Sequence, residues 1–150
     1  MQVTARADYA VRAMVQLAAI DGAASRSAIA SAQGIPPKFL EAILLRLRQE
    51  GLLTAQRGTT GGYVLARAAD TITIAEVVRV VDGPLAAVRG LPPEDTGYPA
   101  PAGALRDVWV ALRASMRQVL ESTTIADVAQ GRLPAAVQAL LQPQDAWTRR

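Results

Sequence analysis

The sequence predicts a mainly α-helical fold with one small β-hairpin. Three observations predict it. Apolar residues recur at helical spacing through most of the chain. A Gly-rich turn separates two short apolar runs between residues 52 and 65. Helix-stop signals and capping residues punctuate the helical runs at regular intervals. The 150 residues suit one domain with appendages.

Each element follows in chain order. Thr4 is an N-cap for a helix over about 4–20, in which Ala10, Met14, Leu17 and Ala18 form one apolar stripe. Ser25 caps a short helix over 26–33, with Ile29 and Ala30 facing inward and Gly34 ending it. Pro36-Pro37 then suits the first turn of a third helix, which runs to about Glu50 and stops at Gly51. Leu40, Ile43, Leu44 and Leu47 line one side of that helix, and Lys38, Ala42, Leu45 and Gln49 line the other. Residues 52–56 and 63–65 read as strands joined by the Gly-rich turn 57–62. Thr73 and Glu76 form a capping box before a helix that ends at Gly83-Pro84.

Residues 83–103 hold five of the nine prolines and four of the eleven glycines, so this stretch reads as a linker. A long helix over about 104–122 follows. Leu105, Trp109, Leu112, Met116 and Val119 alternate in steps of four and three along it, the seam pattern of a coiled coil. Thr124 and Asp127 cap one more short helix, and an apolar run from Ala135 to Leu141 lies in the tail.

Two helices, a tight turn, a third helix with one polar face and a hairpin with a Gly-rich tip make a winged helix-turn-helix. Burying the Leu40/Ile43/Leu44/Leu47 face leaves the other face and the N-terminal turn free to enter a major groove. The hairpin can then reach phosphates beside it, with Arg57 supplying charge.

The charge balance agrees. Sixteen basic residues against thirteen acidic ones give +3. Residues 1–67 carry eight basic and four acidic side chains, or +4; residues 68–150 carry eight and nine, or −1. The chain has no cysteine and no histidine. That removes disulfides, thiolate metal sites, Cys nucleophiles and the commonest general base. No nucleophile–base pair can be assembled, so an enzyme is not expected. No apolar run approaches the ~20 residues that span a bilayer, and no signal-peptide core is evident. The expectation is a soluble, cytoplasmic protein without a cofactor.

Residues 1–83 resemble the Rrf-two family of bacterial winged-helix repressors. The matching stretches are Thr4, Tyr9-Ala10-Val11, Ile29-Ala30, Gly34-Ile35, Leu40-Glu41, Leu47-Arg48 and Gly51-Leu52. In the wing they are Arg57-Gly58, Gly61-Gly62-Tyr63 and Leu65-Ala66; beyond it, Thr73-Ile74 and Val81-Asp82-Gly83-Pro84-Leu85. Trp109 and the stretch Thr124 to Asp127 extend the likeness through the long helix. The resemblance implies a homodimer that reads an inverted repeat in double-stranded DNA and represses transcription. The seam can pair with its twin across a two-fold axis or fold back on its own domain; the resemblance implies the first, with Leu105, Trp109, Leu112, Met116 and Val119 as the dimer interface. On this basis the chain divides into a winged helix-turn-helix domain at 1–83, a linker at 84–103, a dimerisation helix with a short following helix at 104–131, and a tail at 132–150.

The residues expected at DNA fall in four groups. Thr4 and Arg6 match the family's N-terminal phosphate-contacting segment. Arg26 and Ser27 open the second helix, whose backbone N–H groups also favour phosphate. Pro37, Lys38, Phe39, Glu41 and Ala42 lie at the entering end of the third helix. Lys38 is read as a phosphate or base contact, and Phe39 as packing or a DNA contact. Glu41 is read as an acceptor for a cytosine amine or as the partner of a neighbouring Arg. Arg57, Gly58, Thr59, Thr60 and Gly61 form the wing tip.

Departures from the family pattern are as informative. Members that carry an iron–sulfur cluster supply three cysteines from the stretch equivalent to 83–103, and this chain has none. Glu94 and Asp95 there are hard oxygen donors that cannot hold such a cluster. Thr59-Thr60 replaces a usual Pro-Gly, Gln2 a common basic residue, Ala42 a common Gln, and Leu45 a common Ala. The linker is left open between an effector pocket, a partner-binding loop and a passive connection. A second reading of the whole also stays open: a protein-interaction adaptor that binds an enzyme partner, with DNA binding weak or lost.

Overall fold

The computed structural model describes residues 2–20, 22–58 and 61–148. Helix α1 spans Ala5–Ala18, and the Thr4 hydroxyl accepts from the Ala7 N–H to cap it. Helix α2 spans Arg26–Gln33, capped in the same way by Ser25 onto Ala28. Gly34 ends α2 in the left-handed conformation at φ 60°, and the Ile35 N–H donates back to the Ala30 carbonyl at 3.0 Å. This closes the turn between the two helices of the motif. Helix α3, Pro37–Gln49, begins with proline in its first turn, where the missing N–H costs nothing.

Ala7, Ala10, Ala13, Met14 and Leu17 of α1 meet Ile29 and Ala30 of α2 and the Leu40/Ile43/Leu44/Leu47 stripe of α3 in one core. Small side chains on α1 let the neighbouring helices approach closely. Leu52 and Leu53 continue that core into strand β1, Leu53–Gln56, which pairs antiparallel with β2, Gly62–Leu65. Tyr63 exchanges backbone hydrogen bonds with Ala24 at 2.8 and 3.0 Å. The hairpin is thus pinned to the residue just before α2, which fixes where the wing projects.

Helix α4 spans Ile74–Asp82 and starts at the Thr73 cap. The capping box expected there is only half made. Thr73 accepts from the Glu76 N–H at 3.2 Å, but the Glu76 carboxylate is taken by Arg67 at 2.5 Å. The charged partner holds the carboxylate more strongly than the backbone N–H can. Helix α5, Leu105–Leu120, is the long helix, and none of its residues is fully buried within the chain. Helix α6, Ile125–Gln130, opens on a complete box between Thr124 and Asp127. Ile125 is fully buried in the winged-helix core, and its N–H donates to the Ile72 carbonyl at 2.9 Å. The chain after α5 therefore returns to the N-terminal domain. Helix α7, Ala135–Leu140, lies in the tail with no buried residue.

The linker is folded. Val88 and Leu91 exchange two backbone hydrogen bonds across a tight turn. Pro93 and Thr96 are buried, and the Thr96 hydroxyl donates to the Pro93 carbonyl at 2.6 Å. Trp109 of α5 donates from its indole N–H to the Tyr98 hydroxyl at 3.1 Å, and the Arg89 guanidinium sits 5.4 Å from the Tyr98 ring centre.

Candidate nucleic-acid interface

Burial of one side of α3 dictates what the other side presents. Lys38, Phe39, Glu41, Ala42 and Leu45 are all exposed. Phe39 is 64% exposed and Leu45 49%, so neither is part of the core. Lys38, Phe39 and Ala42 line a groove of about 780 Å³ together with Thr4 and Arg6. Five of the residues expected at DNA thus share one concavity between the start of α1 and the outer face of α3.

Arg46 completes that groove and was not among the expected residues. Its signal was present, because Lys38, Ala42 and Arg46 follow one another at i, i+4 and i+8. Arg46 donates to the Val80 carbonyl at 3.2 Å and pairs with Glu50 at 3.0 Å. These contacts hold it along the groove wall.

A second groove lies on the far side of the α3 N-terminus, lined by Arg26, Ser27 and Pro37 with Ser31 and Gly34. Glu41 links the two sides. Its carboxylate takes the Arg26 guanidinium at 2.7 Å.

Thr4 and Arg6 are held from behind by Asp82, the last residue of α4. Asp82 accepts from the Thr4 hydroxyl at 2.5 Å and from Arg6 Nε at 2.9 Å. The Thr4 hydroxyl thereby serves both the α1 cap and Asp82. Arg6 keeps the rest of its guanidinium fork for another acceptor. In the sequence Asp82 marks only a helix end, and its long-range role carries no local signal.

Arg57 stands exposed where β1 ends. Gly58 has φ +114°, and the Gly61 N–H closes the turn onto its carbonyl at 3.0 Å. Thr59 and Thr60 lie outside the described residues. The Gly61-Gly62 pair is required by crowding. A Cβ on Gly61 would stand 2.4 Å from the Gln56 carbonyl oxygen, and one on Gly62 would stand 2.2 Å from that of Ala24. Among the described residues, Lys38, Arg48 and Arg57 make no ion pair. All three are exposed. These are cations free to meet phosphate.

Of the seam on α5, Trp109 and Leu112 face the chain's own linker, whereas Met116 and Val119 line a groove of about 710 Å³ with α1 and α4. Leu105 is half-buried at the start of the helix.

The family model for Rrf2, described as an iron-dependent transcriptional regulator, matches residues 3–131. The chain belongs to the Rrf2 family. It is therefore a winged-helix member of a family of transcriptional regulators. Rv1287 of Mycobacterium tuberculosis, named as an HTH-type transcriptional regulator, is 55% identical over 142 residues, covering 93% of this chain and 88% of that protein. CymR of Bacillus subtilis, also named as an HTH-type transcriptional regulator, is 33% identical over 131 residues, covering 86% and 90%. Its solved structure, described as that of the global cysteine regulator, superposes with a TM-score of 0.75 at 30% identity, over 87% of this chain and 98% of that one. The structure of IscR from T. potens gives a TM-score of 0.70 at 28% identity, over 100% and 93%.

Iron is the point at which this Rrf2 member parts from the family description. A cluster or soft-metal site needs thiolates or imidazoles, and the chain contains neither. The linker offers Glu94 and Asp95, but Glu94 is already held by Arg113 at 2.5 Å. Among the described residues, no three His, Cys, Asp or Glu side chains gather where they could hold a metal ion. The residues present do not fit a resident iron site. Among the described residues, no helix is long and apolar enough to cross a membrane.

Proposed function

We propose that this Rrf2 member acts as a homodimeric, sequence-specific DNA-binding repressor that works without an iron–sulfur cluster. The N-terminal part of α3 enters a major groove, with Lys38, Phe39, Glu41 and Ala42 at the bases. Thr4, Arg6, Arg26 and Ser27 flank it at the phosphates. The wing, through Arg57 and its glycine turn, meets the backbone beside that groove. The single observation that carries this reading is the shared groove. Residues 32 or more positions apart in sequence, Thr4 and Arg6 on one side and Lys38, Phe39 and Ala42 on the other, meet on one exposed face.

A second copy is the occupant we assign to α5. A 16-residue helix with no fully buried residue is unusual within a single chain, and Leu105, Trp109, Leu112, Met116 and Val119 are all left half-covered. A two-fold pair would place two α3 helices on one side of a duplex, separated by one or more helical turns. An inverted repeat is the matching operator.

A protein-partner reading has one observation in its favour. The outward face of α3 carries two uncovered apolar side chains, Phe39 and Leu45. Selection of binding sites from a random duplex pool by the purified protein separates the two. A consensus with two inverted half-sites supports the repressor. Recovery of no consensus supports the adaptor.

A further inference from the structure

Away from the DNA-facing grooves, a cavity of about 220 Å³ lies between the linker and helices α4 and α5. Three arginines line it: Arg79 from α4, and Arg113 and Arg117 one turn apart on α5. Glu94, from the linker, lines the same cavity and binds Arg113 at 2.5 Å. Glu121 binds Arg79 and stands 3.8 Å from Arg117. Leu85 and Leu91 supply an apolar wall.

The charges do not balance. Three guanidinium groups meet two carboxylates, which leaves +1. Arg113 has a side chain only 15% exposed, so this cation is largely withdrawn from water. Withdrawn cations demand anionic partners. Arg113 meets Glu94 at 2.5 Å through one terminal nitrogen, and a guanidinium fork carries five N–H donors. Glu94 stays an anion at neutral pH. The hydrogen bond from Arg113 holds its carboxyl below the ordinary value, helped by its own backbone and by the charges of Arg113 and Arg117. The uncompensated charge therefore belongs to the arginines.

We propose that this cavity binds a small monocarboxylate. Arg113 and Arg117 take its carboxylate, with Arg79 beside them, and its short carbon body lies against Leu85 and Leu91. One negative charge closes the balance. The cavity holds about seven water volumes, less than the ~300–1,000 Å³ of pockets for larger ligands, so a nucleotide does not fit. The apolar wall favours a carbon chain over a bare inorganic anion.

Calorimetric titration of the full chain with sodium butyrate, and separately with sodium phosphate at matched ionic strength, tests this. The expected result is saturable butyrate binding at one site per chain. Arg117→Gln removes one charge-assisted donor from a half-exposed side chain and should weaken that binding about tenfold or more. Arg79→Gln gives a second reading if the more buried Arg113→Gln fails to fold, with circular dichroism reporting the fold in each case. Arg132→Gln, outside the cavity, should leave the affinity unchanged. Absence of saturable butyrate binding would overturn the proposal. So would equal butyrate affinity in Arg117→Gln, equal weakening by Arg132→Gln, or binding of phosphate alone.

Discussion

The Arg26 guanidinium stands 2.7 Å from the Glu41 carboxylate, tying the first turn of α2 to the outward face of α3. Both side chains are substantially exposed, and an exposed pair of this kind contributes at most about 1 kcal/mol to stability. The proposed role of the pair is orientation. Glu41→Gln and Arg26→Gln should each leave the melting temperature nearly unchanged. Both should shift the selected operator at the same base position, by about 1–3 kcal/mol of discrimination. Shifts at unrelated positions would show that the pair does not act as a unit.

Arg57 makes no ion pair among the described residues and sits at the root of the wing. Arg57→Ala should weaken binding to all duplexes alike and lower the slope of log affinity against log salt by about one. Anisotropy titrations on the selected operator and on a scrambled duplex measure both effects. An unchanged slope places the wing away from DNA.

Gly62 meets the Ala24 carbonyl so closely that a Cβ would come within 2.2 Å of its oxygen. Gly62→Ala must push the hairpin off its bridge to Ala24. The expected cost is about 1–3 kcal/mol in chemical denaturation. A smaller loss would mean that the wing is free to move without disturbing the core.

Leu112→Glu combined with Met116→Glu places two charges on the seam of α5. Sedimentation should then show monomers with an intact winged-helix domain. A surviving dimer would put the interface elsewhere.

Asp127 accepts from the backbone and then the side chain of Thr124, and these bonds hold its carboxyl below the ordinary value. A carboxylate with a depressed folded-state value adds stability above its unfolded-state value, and that stability fades as pH falls toward the folded-state value. Asp127→Asn should therefore cost about 1 kcal/mol at neutral pH and flatten the acid limb of the stability curve. Melts from neutral to acidic pH check it; an unaltered acid limb would contradict the assignment.

Local chemistry made much of this legible. Thr4, Ser25, Thr73 and Thr124 announce helix starts because a hydroxyl caps only its own neighbours. The stripe of α3 follows from helical period alone, and so does the outward row that carries Lys38 and Ala42. What the sequence did not disclose is long-range. Asp82 reaches back across the chain to Thr4 and Arg6, and no local pattern marks it. Ile125 returns to a core built mostly from residues more than seventy positions earlier. The prolines and glycines of 84–103 signal turns, but the docking of Tyr98 on Trp109 depends on a tertiary meeting of two half-apolar rings. Glu76 shows how such a meeting can override a local motif, since Arg67 displaces half of the capping box.

The central claim is that two copies of the α3 face read one operator. Titration of a labelled inverted-repeat duplex, taken from the random-pool selection, measures stoichiometry and affinity together across a salt series. The account predicts two protomers per duplex, a steep fall of affinity with salt, and much weaker binding when one half-site is scrambled. One protomer per duplex, or an affinity indifferent to both salt and the second half-site, would contradict it.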